Sequence, residues 1–242
     1  MYQLIRKGEM HKVFCEDFLL ATKLNEQYTV YGVFDGCSSA INSHFASALL
    51  AKVVRKELQS LVIEPFNSIS TLFSNSIFRS MRSLQKIKND LLLETDELLS
   101  TMILLFVDNF SKKAQILAFG DGFIAINGRS VSIDQNNSPD YLAYHLDELE
   151  NINDFGKWLN EKARVFEISE IQDVSISTDG INSFQSSEIA EEDDNPIIPS
   201  DYFTNNSFLL HNKSMLARKY NILKTKYRMV NQDDIAMIRI IA

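Results

Sequence analysis

The chain has 242 residues, 45% of them hydrophobic, which is enough for one substantial core and predicts a single domain over residues 1–242. Its 24 basic and 32 acidic residues leave a formal charge of −8, which excludes a general nucleic-acid or anionic-membrane binder; no Lys/Arg block reverses this locally. Two cysteines, Cys15 and Cys37, are too few for a disulfide scaffold, no secretory signal is evident, and the longest apolar stretch, "MILLFV", is too short to span a bilayer, so the expectation is a soluble cytoplasmic protein.

In chain order, "DFLLATKL" and "YTVYGVF" read as strands joined through "NEQ" in a hairpin. From Ser38 to Leu61, apolar residues recur near helical spacing at Ile41, Phe45, Ala48, Leu49 and Val53, with Ser38 or Ser39 as the cap. Glu64-Pro65-Phe66 breaks this helix. A second pattern runs from about Asn67 to Leu98, with Leu72, Ile77, Met81, Leu84 and Ile87 on one face. Two consecutive amphipathic helices predict an antiparallel pair. The period then changes. "STMILLFVDN", "AQILAFG", "FIAING" and "RSVSID" read as an antiparallel meander, and Asn127-Gly128 marks a tight hairpin that needs positive φ. "YLAYHLDELENINDFGKWLNEKA" reads as loop and short helix, "ARVFEIS" and "DVSISTDG" as strands, and "EIAEEDDNPIIPSD" as an acidic surface loop. "SMLARKYNILKTKY" reads as a helix and "DIAMIRIIA" as a closing strand. The order predicts an α+β fold with helices packed on antiparallel sheets.

Several aspartates share one context, an apolar run ending in Asp-Gly: Asp35 in "GVFDG", Asp121 in "AFGDG" and Asp179 in "ISTDG". Asp17 in "CEDFLL" and Asp233 in "NQDDIAMI" stand at the starts of strands. A lone Asp-Gly ordinarily closes a turn. Five carboxylates gathered at neighbouring strand ends repel one another unless something positive lies between them. Oxygen ligands point to Mg²⁺ or Mn²⁺; with four histidines and no His-x-x-x-His pair, zinc is disfavoured. The glycine after each aspartate is expected to let the backbone turn sharply and present a carbonyl to the ion.

These motifs, in this order, resemble the metal-dependent protein phosphatases of the type 2C Ser/Thr family, and more closely their compact bacterial branch. The resemblance runs from about Gly8 to Ile241. "HKVFCEDF" is similar to the opening Glu-Asp motif, "YGVFDGCSS" to the Asp-Gly motif, "LLSTMILL" to the Ser/Thr-rich strand start, "AFGDGFIAING" to the Gly-Asp turn, "ISTDGI" to the Ser-Asp-Gly motif and "QDDIAMI" to the closing strand. The resemblance implies a central β-sandwich of two antiparallel sheets flanked by helical pairs, in α-β-β-α layers. It implies that Asp35 bridges two metals and the Gly36 carbonyl binds one, that Asp179 and Asp233 complete the first site, and that Glu16 and Asp17 hold metal-bound waters. Asp121 matches the position that helps bind a third metal, and Asp234 flanks Asp233. The implied reaction is direct hydrolysis of phosphoserine or phosphothreonine in proteins, with a metal-bridging hydroxide attacking phosphorus in line, Mg²⁺ or Mn²⁺ as cofactor (two or three ions) and Asp35, Asp179 and Lys12 catalytic. The implied partner is a phosphorylated protein, opposite a Ser/Thr kinase; the enzyme is expected to be a monomer, with no nucleic acid and no membrane.

The chain also departs from the family. Lys12 stands where the family has a phosphate-binding Arg; it keeps the charge without the bidentate fork, and a surface lysine is the other reading. His11 either contacts phosphate or is structural, the second being favoured. Cys37 replaces a proton-donating His, and packing is favoured for it and for Cys15 over a redox pair. Ser38 and Ser39 replace two glycines. Trp158 either touches substrate or packs locally, again with packing favoured. Two other functions stay open: a weak or inactive phosphatase-like binding module, and a phosphatase for small metabolites.

Overall fold

The run Ser100–Asp108 is buried at every position. Met102, Leu104 and Phe106 join one apolar cluster, while Ile103, Leu105 and Val107 join another. A strand with two buried faces has no polar side to alternate, so its sequence is continuously apolar. Each such side chain, taken fully out of water, stabilises the fold by about 1.5–3 kcal/mol.

The computed structural model describes residues 1–40, 42–61, 68–135, 138–186 and 197–242. Two five-stranded antiparallel sheets face each other. One orders β2 (Asp17–Lys23), β3 (Tyr28–Gly36), β4 (Ser100–Asp108), β5 (Lys113–Phe119) and β8 (Arg164–Ile168). The other orders β1 (Tyr2–Arg6), β12 (Ile235–Ile241), β9 (Asp173–Ser177), β6 (Gly122–Ile126) and β7 (Arg129–Ile133). A two-stranded ribbon pairs β10 (Phe184–Ser186) with β11 (Met229–Asn231). Between the sheets lie Val33, Ile103, Leu105 and Ile116 from the first and Ile124, Val174, Ile176 and Ile238 from the second.

Helices cover both outer faces. α1 (Ser43–Leu61) and α2 (Ile69–Leu91) pack Leu50, Val54, Leu58, Ile77 and Met81 onto Leu20, Phe34, Leu104 and Phe106, with α3 (Phe155–Lys162) at their margin. Glu57 of α1 accepts a hydrogen bond from Ser83 Oγ of α2 at 2.7 Å. On the other face, α4 (Pro199–Thr204) and α5 (Met215–Lys226) pack Phe203, Leu216 and Leu223 onto Leu4, Phe123 and Met237. Two buried cations clamp this layer. Lys219 Nζ donates to the carbonyls of Tyr202 (2.8 Å) and Asn206 (2.6 Å). Arg239 donates to Asp173 at 2.9 and 2.5 Å and to the Phe203 carbonyl at 2.7 Å. Carbonyls at the end of α4 thus meet positive charge, as a helix C-terminus favours. Burial, and then Arg239, pushes the Lys219 ammonium down to about 8. The α-β-β-α architecture implied by the family resemblance is the one observed.

The Asn127-Gly128 hairpin is present, with φ of 49° and 83° and Ile126 paired to Arg129. Several expectations need correction. The four strands after α2 are not one meander: β5 and β6 belong to different sheets, and the chain crosses between them at Gly120-Asp121-Gly122, where Gly120 has φ of 78°. The second helix ends at Leu91, capped by Leu92 in the left-handed conformation, and Thr95–Leu98 is a separate 3-10 turn. α1 begins at Ser43, too late for Ser38 or Ser39 to cap it. Its buried stripe is Ala46, Leu50, Val53, Val54 and Leu58; Phe45, Ala48 and Leu49 flank it, because the helix is rotated from the assumed face. β1, β10, β11 and α4 were not anticipated. Ile41, Asn67, the Glu64-Pro65-Phe66 break and most of the acidic segment 188–201 lie outside the described residues.

The glycines after Asp35 and Asp179 serve close approach rather than a turn. Neither has positive φ. A Cβ on Gly36 would stand 2.0 Å from the Ser43 carbonyl oxygen, and one on Gly180 would stand 1.7 Å from that of Asp234. Gly180→Ala should therefore lower the thermal midpoint by about 3–10 °C. Gly156→Ala, where the nearest atom is Asp154 Oδ1 at 3.5 Å, should not lower it. A Gly180→Ala midpoint equal to that of the parent would contradict this packing.

Candidate metal centre

The β2–β3 register places Asp17 directly opposite Asp35. Like charges across a strand pair are destabilising, and here Asp17 is buried and Asp35 half-buried. Burial raises Asp35 well above the usual carboxylate range, and Asp17, Asp179 and Asp233 add to the shift. Asp17 is also raised, first by burial and then by Asp234 and Asp233, against a lowering hydrogen bond from Thr178.

The second sheet brings the remaining carboxylates to the same end of the sandwich. Asp179 follows β9 and opens the 3-10 turn Asp179–Asn182. Burial, then Asp233 and Asp121, pushes it up to about 6. Asp233 immediately precedes the Asp234-β12 junction; its N–H donates to Ser183 Oγ at 3.1 Å, and its side chain is 41% exposed. Burial raises it too. Asp121 sits on the β5–β6 crossing, where its Oδ1 accepts the Gln135 N–H at 2.8 Å. Its carboxyl is raised by burial and by Asp134.

Residues 8–16 form the rim. Asp234 is buried and organises them: its Oδ1 accepts the Gly8 N–H at 2.6 Å, and its Oδ2 accepts the Glu16 N–H. His11 Nδ1 stands 2.8 Å from Asp234 Oδ2, and His11 Nε2 stands 3.4 Å from Asp233 Oδ1. Burial lowers the His11 pKa, but these carboxylates outweigh it and leave it raised. His11 is thus held against the Asp233 and Asp234 carboxylates at the edge of the site. Lys12 is exposed on this rim. Cys15 and Cys37 are both free thiols. Burial pushes Cys15 up to about 12, which keeps it unreactive. Trp158 packs on Phe155 and donates to Glu148 Oε2 at 3.1 Å, as local packing requires.

Two oxygens decide what chemistry fits. Asp17 Oδ1 and Glu16 Oε2 are buried and meet no hydrogen-bond donor among the described residues. A buried carboxylate oxygen without a donor is costly unless a proton or cation satisfies it. The donor set is therefore right in kind for a hard divalent ion. Its spacing is still open: among the described residues, no three His, Cys, Asp or Glu side chains converge closely enough to hold an ion as they stand. A cleft of about 640 Å³ lies near Asp108, Lys113 and Glu167, at the other end of β4, and none of Glu16, Asp17, Asp35, Asp121, Asp179 and Asp233 lines it.

Sequence reasoning missed Thr178. Its Oγ1 donates to Asp17 Oδ2 at 2.7 Å and accepts the Ala236 N–H at 2.9 Å, joining the two sheets through the site. The only signal was its place before Asp179-Gly180.

The protein phosphatase 2C family profile matches residues 7–212. The chain belongs to this family. No curated protein matches it. Among solved structures, RsbX in complex with magnesium is similar at 15% identity and a TM-score of 0.52, covering 98% of this chain and 92% of that one. The serine/threonine phosphatase Stp1 from Staphylococcus aureus is similar at 10% identity and 0.60, covering 99% and 93%. The phosphatase 2C domain of SpoIIE from Bacillus subtilis, with a fragment of its regulatory domain, is similar at 14% identity and a TM-score of 0.61, covering 100% of this chain and 62% of that one. At these identities the structures show a shared fold. Placed on the phosphatase 2C fold, the carboxylates occupy one end of the sandwich, where the two sheets meet.

A test follows from the raised carboxyls. Asp179 moves from 3.8 to about 6 on folding, so the folded state holds its proton more tightly. The stability this gives is complete below about pH 4 and is lost as pH rises through about 6. In divalent-free buffer at pH 7.5, Asp179→Asn should be more stable than the parent by up to about 3 kcal/mol, with no difference at pH 4. Urea unfolding at the two pH values measures it. Equal stability at pH 7.5 would contradict the assignment.

Proposed function

We propose that this chain is a Mg²⁺- or Mn²⁺-dependent phosphatase acting on phosphoserine or phosphothreonine in proteins, in the cytoplasm, as one domain over residues 1–242. One observation carries the reading: carboxylates from both sheets gather at one end of the sandwich, and two of their oxygens, on Asp17 and Glu16, meet no donor among the described residues. Membership of the protein phosphatase 2C family supports the reaction class, and the magnesium complex of RsbX supports the cation.

In this reading Asp35, Asp179 and Asp233 hold the cations with the Gly36 carbonyl, Glu16 and Asp17 border them, and Asp121 serves a further ion. A bound divalent cation supplies positive charge for phosphoryl oxygens and acidifies water. The protein contributes placement. Thr178 fixes the Asp17 carboxylate, and the β2–β3 register fixes Asp35 against it. Asp234 ties the Gly8 and Glu16 amides to the start of β12, so the rim carrying Lys12 keeps its place. Lys12 supplies a mobile positive charge at the rim, suited to drawing in a phosphate rather than gripping it. Raised carboxyls release protons when a cation arrives, so activity should increase from pH 5 to 8.

A binding module without turnover is the second reading, favoured by the open spacing of the carboxylates. Phosphate release from a phosphoserine peptide with Mn²⁺, alongside the Mn²⁺-induced shift in thermal midpoint, separates the two. The parent should show both responses. Asp35→Asn should lose at least about 100-fold in turnover, together with most of the midpoint shift. Release that survives in Asp35→Asn would refute the metal assignment. A midpoint shift without any release would favour the module.

A further inference from the structure

A cleft of about 380 Å³ opens beside Asp35 and is lined by Cys37, Leu99, Pro139, Asp140, Tyr141 and Tyr144. Its position is fixed by backbone: the Cys37 N–H donates to the Leu99 carbonyl at 3.0 Å, two residues beyond Asp35. Tyr141 is 7% exposed and lines the cleft together with Cys37. Burial raises the Tyr141 phenol, and Cys37 and Asp35 add to that, so this wall is within electrostatic reach of Asp35.

Tyr144 packs against Tyr141 at 5.5 Å and 69° between rings, and it is still 50% exposed. Asp140 stands beside it, held in place from two directions. Its Oδ1 lies 2.7 Å from His145 Nε2, and its N–H donates to Gln135 Oε1 at 2.7 Å. His145 is itself buried, with Nδ1 3.1 Å from Glu148 Oε1. The Asp140 side chain is 36% exposed, so it remains open to a ligand. Asp96 adds to the negative field on Tyr144.

An aromatic ring next to an anchored carboxylate attracts a cation and repels an anion. The cleft is large enough for one long side chain, and its mouth adjoins the carboxylate end where the phosphate is taken to bind. We infer that this cleft receives an arginine or lysine side chain of the phosphoprotein, near the phosphorylated residue, held between the Tyr144 ring and the Asp140 carboxylate. The inference rests on the phosphatase reading and adds a sequence preference to it. It also gives the Cys37 departure a use: a small thiol in the lining leaves the cleft open.

The test uses phosphoserine peptides that differ only by Arg or Glu, placed two residues before the phosphoserine or two residues after it. The parent should prefer Arg at one of these positions by about tenfold in kcat/KM, through KM. Tyr144→Ala should bring that ratio towards one, and Tyr144→Phe, which keeps the ring, should preserve it. No Arg preference at either position, or a preference that survives Tyr144→Ala, would overturn the inference; a preference due only to net charge survives, because the carboxylates remain. If no peptide is turned over, the phosphatase reading fails, and calorimetric binding of the same peptides decides the cleft: tighter binding of Arg peptides, lost in Tyr144→Ala, supports it, and equal binding of Arg and Glu peptides overturns it.

Discussion

Asp17 and Asp35 face each other in a register that keeps the apolar residues of β2 and β3 on their buried faces. A slip of one residue would turn Leu20, Val30 and Phe34 away from the helices that cover them. Each of those side chains is worth roughly 1.5–3 kcal/mol of burial, which outweighs the repulsion between one pair of carboxylates that proton uptake relieves. The fold therefore forces two negative groups together, and the rest of the centre is arranged around that conflict. Thr178 donates to one of them, and burial and the neighbouring carboxylates raise both.

The second sheet is held to the first by the sandwich core and, at the site, by a side-chain hydrogen bond, while within the second sheet one contact tolerates no extra atom. Gly180 lies against the Asp234 carbonyl, and Thr178 bonds both Asp17 and Ala236. These contacts put Asp179 and Asp233 opposite the β2–β3 pair. Stability and site are opposed here: carboxyls raised by one another destabilise the folded chain near neutral pH unless a cation joins them. This opposition is expected where chemistry rather than packing has set the residues.

Much of this was legible in the sequence, where local chemistry decides structure. Asn127-Gly128 announced its turn because few other pairs accept positive φ at both positions. β4 announced a doubly covered strand by its unbroken apolar run. The five aspartates were legible because three end apolar runs before a glycine and two stand where such runs begin. What escaped depended on contacts far apart in the chain. Nothing local distinguishes a crossing at Asp121 from a hairpin, so β5 and β6 were joined wrongly. β10 and β11 are three residues each and pair across more than forty residues. The need for glycine at 36 and 180 is close approach to Ser43 and Asp234 rather than a turn, and that approach is a tertiary fact. Thr178 and Tyr144 carry no motif at all; their partners alone give them meaning.

The central claim is that the carboxylates around Asp17 and Asp35 form a cation site held open by shared protons. Isothermal titration calorimetry of Mn²⁺ binding at pH 6, repeated in buffers of different ionisation enthalpy, tests it most directly, because the buffer dependence counts protons released. The account predicts saturable binding with a net release of about one proton or more, and less release at pH 8, where the carboxyls are closer to full ionisation. Binding without proton release at pH 6, or no saturable binding at all, would contradict it.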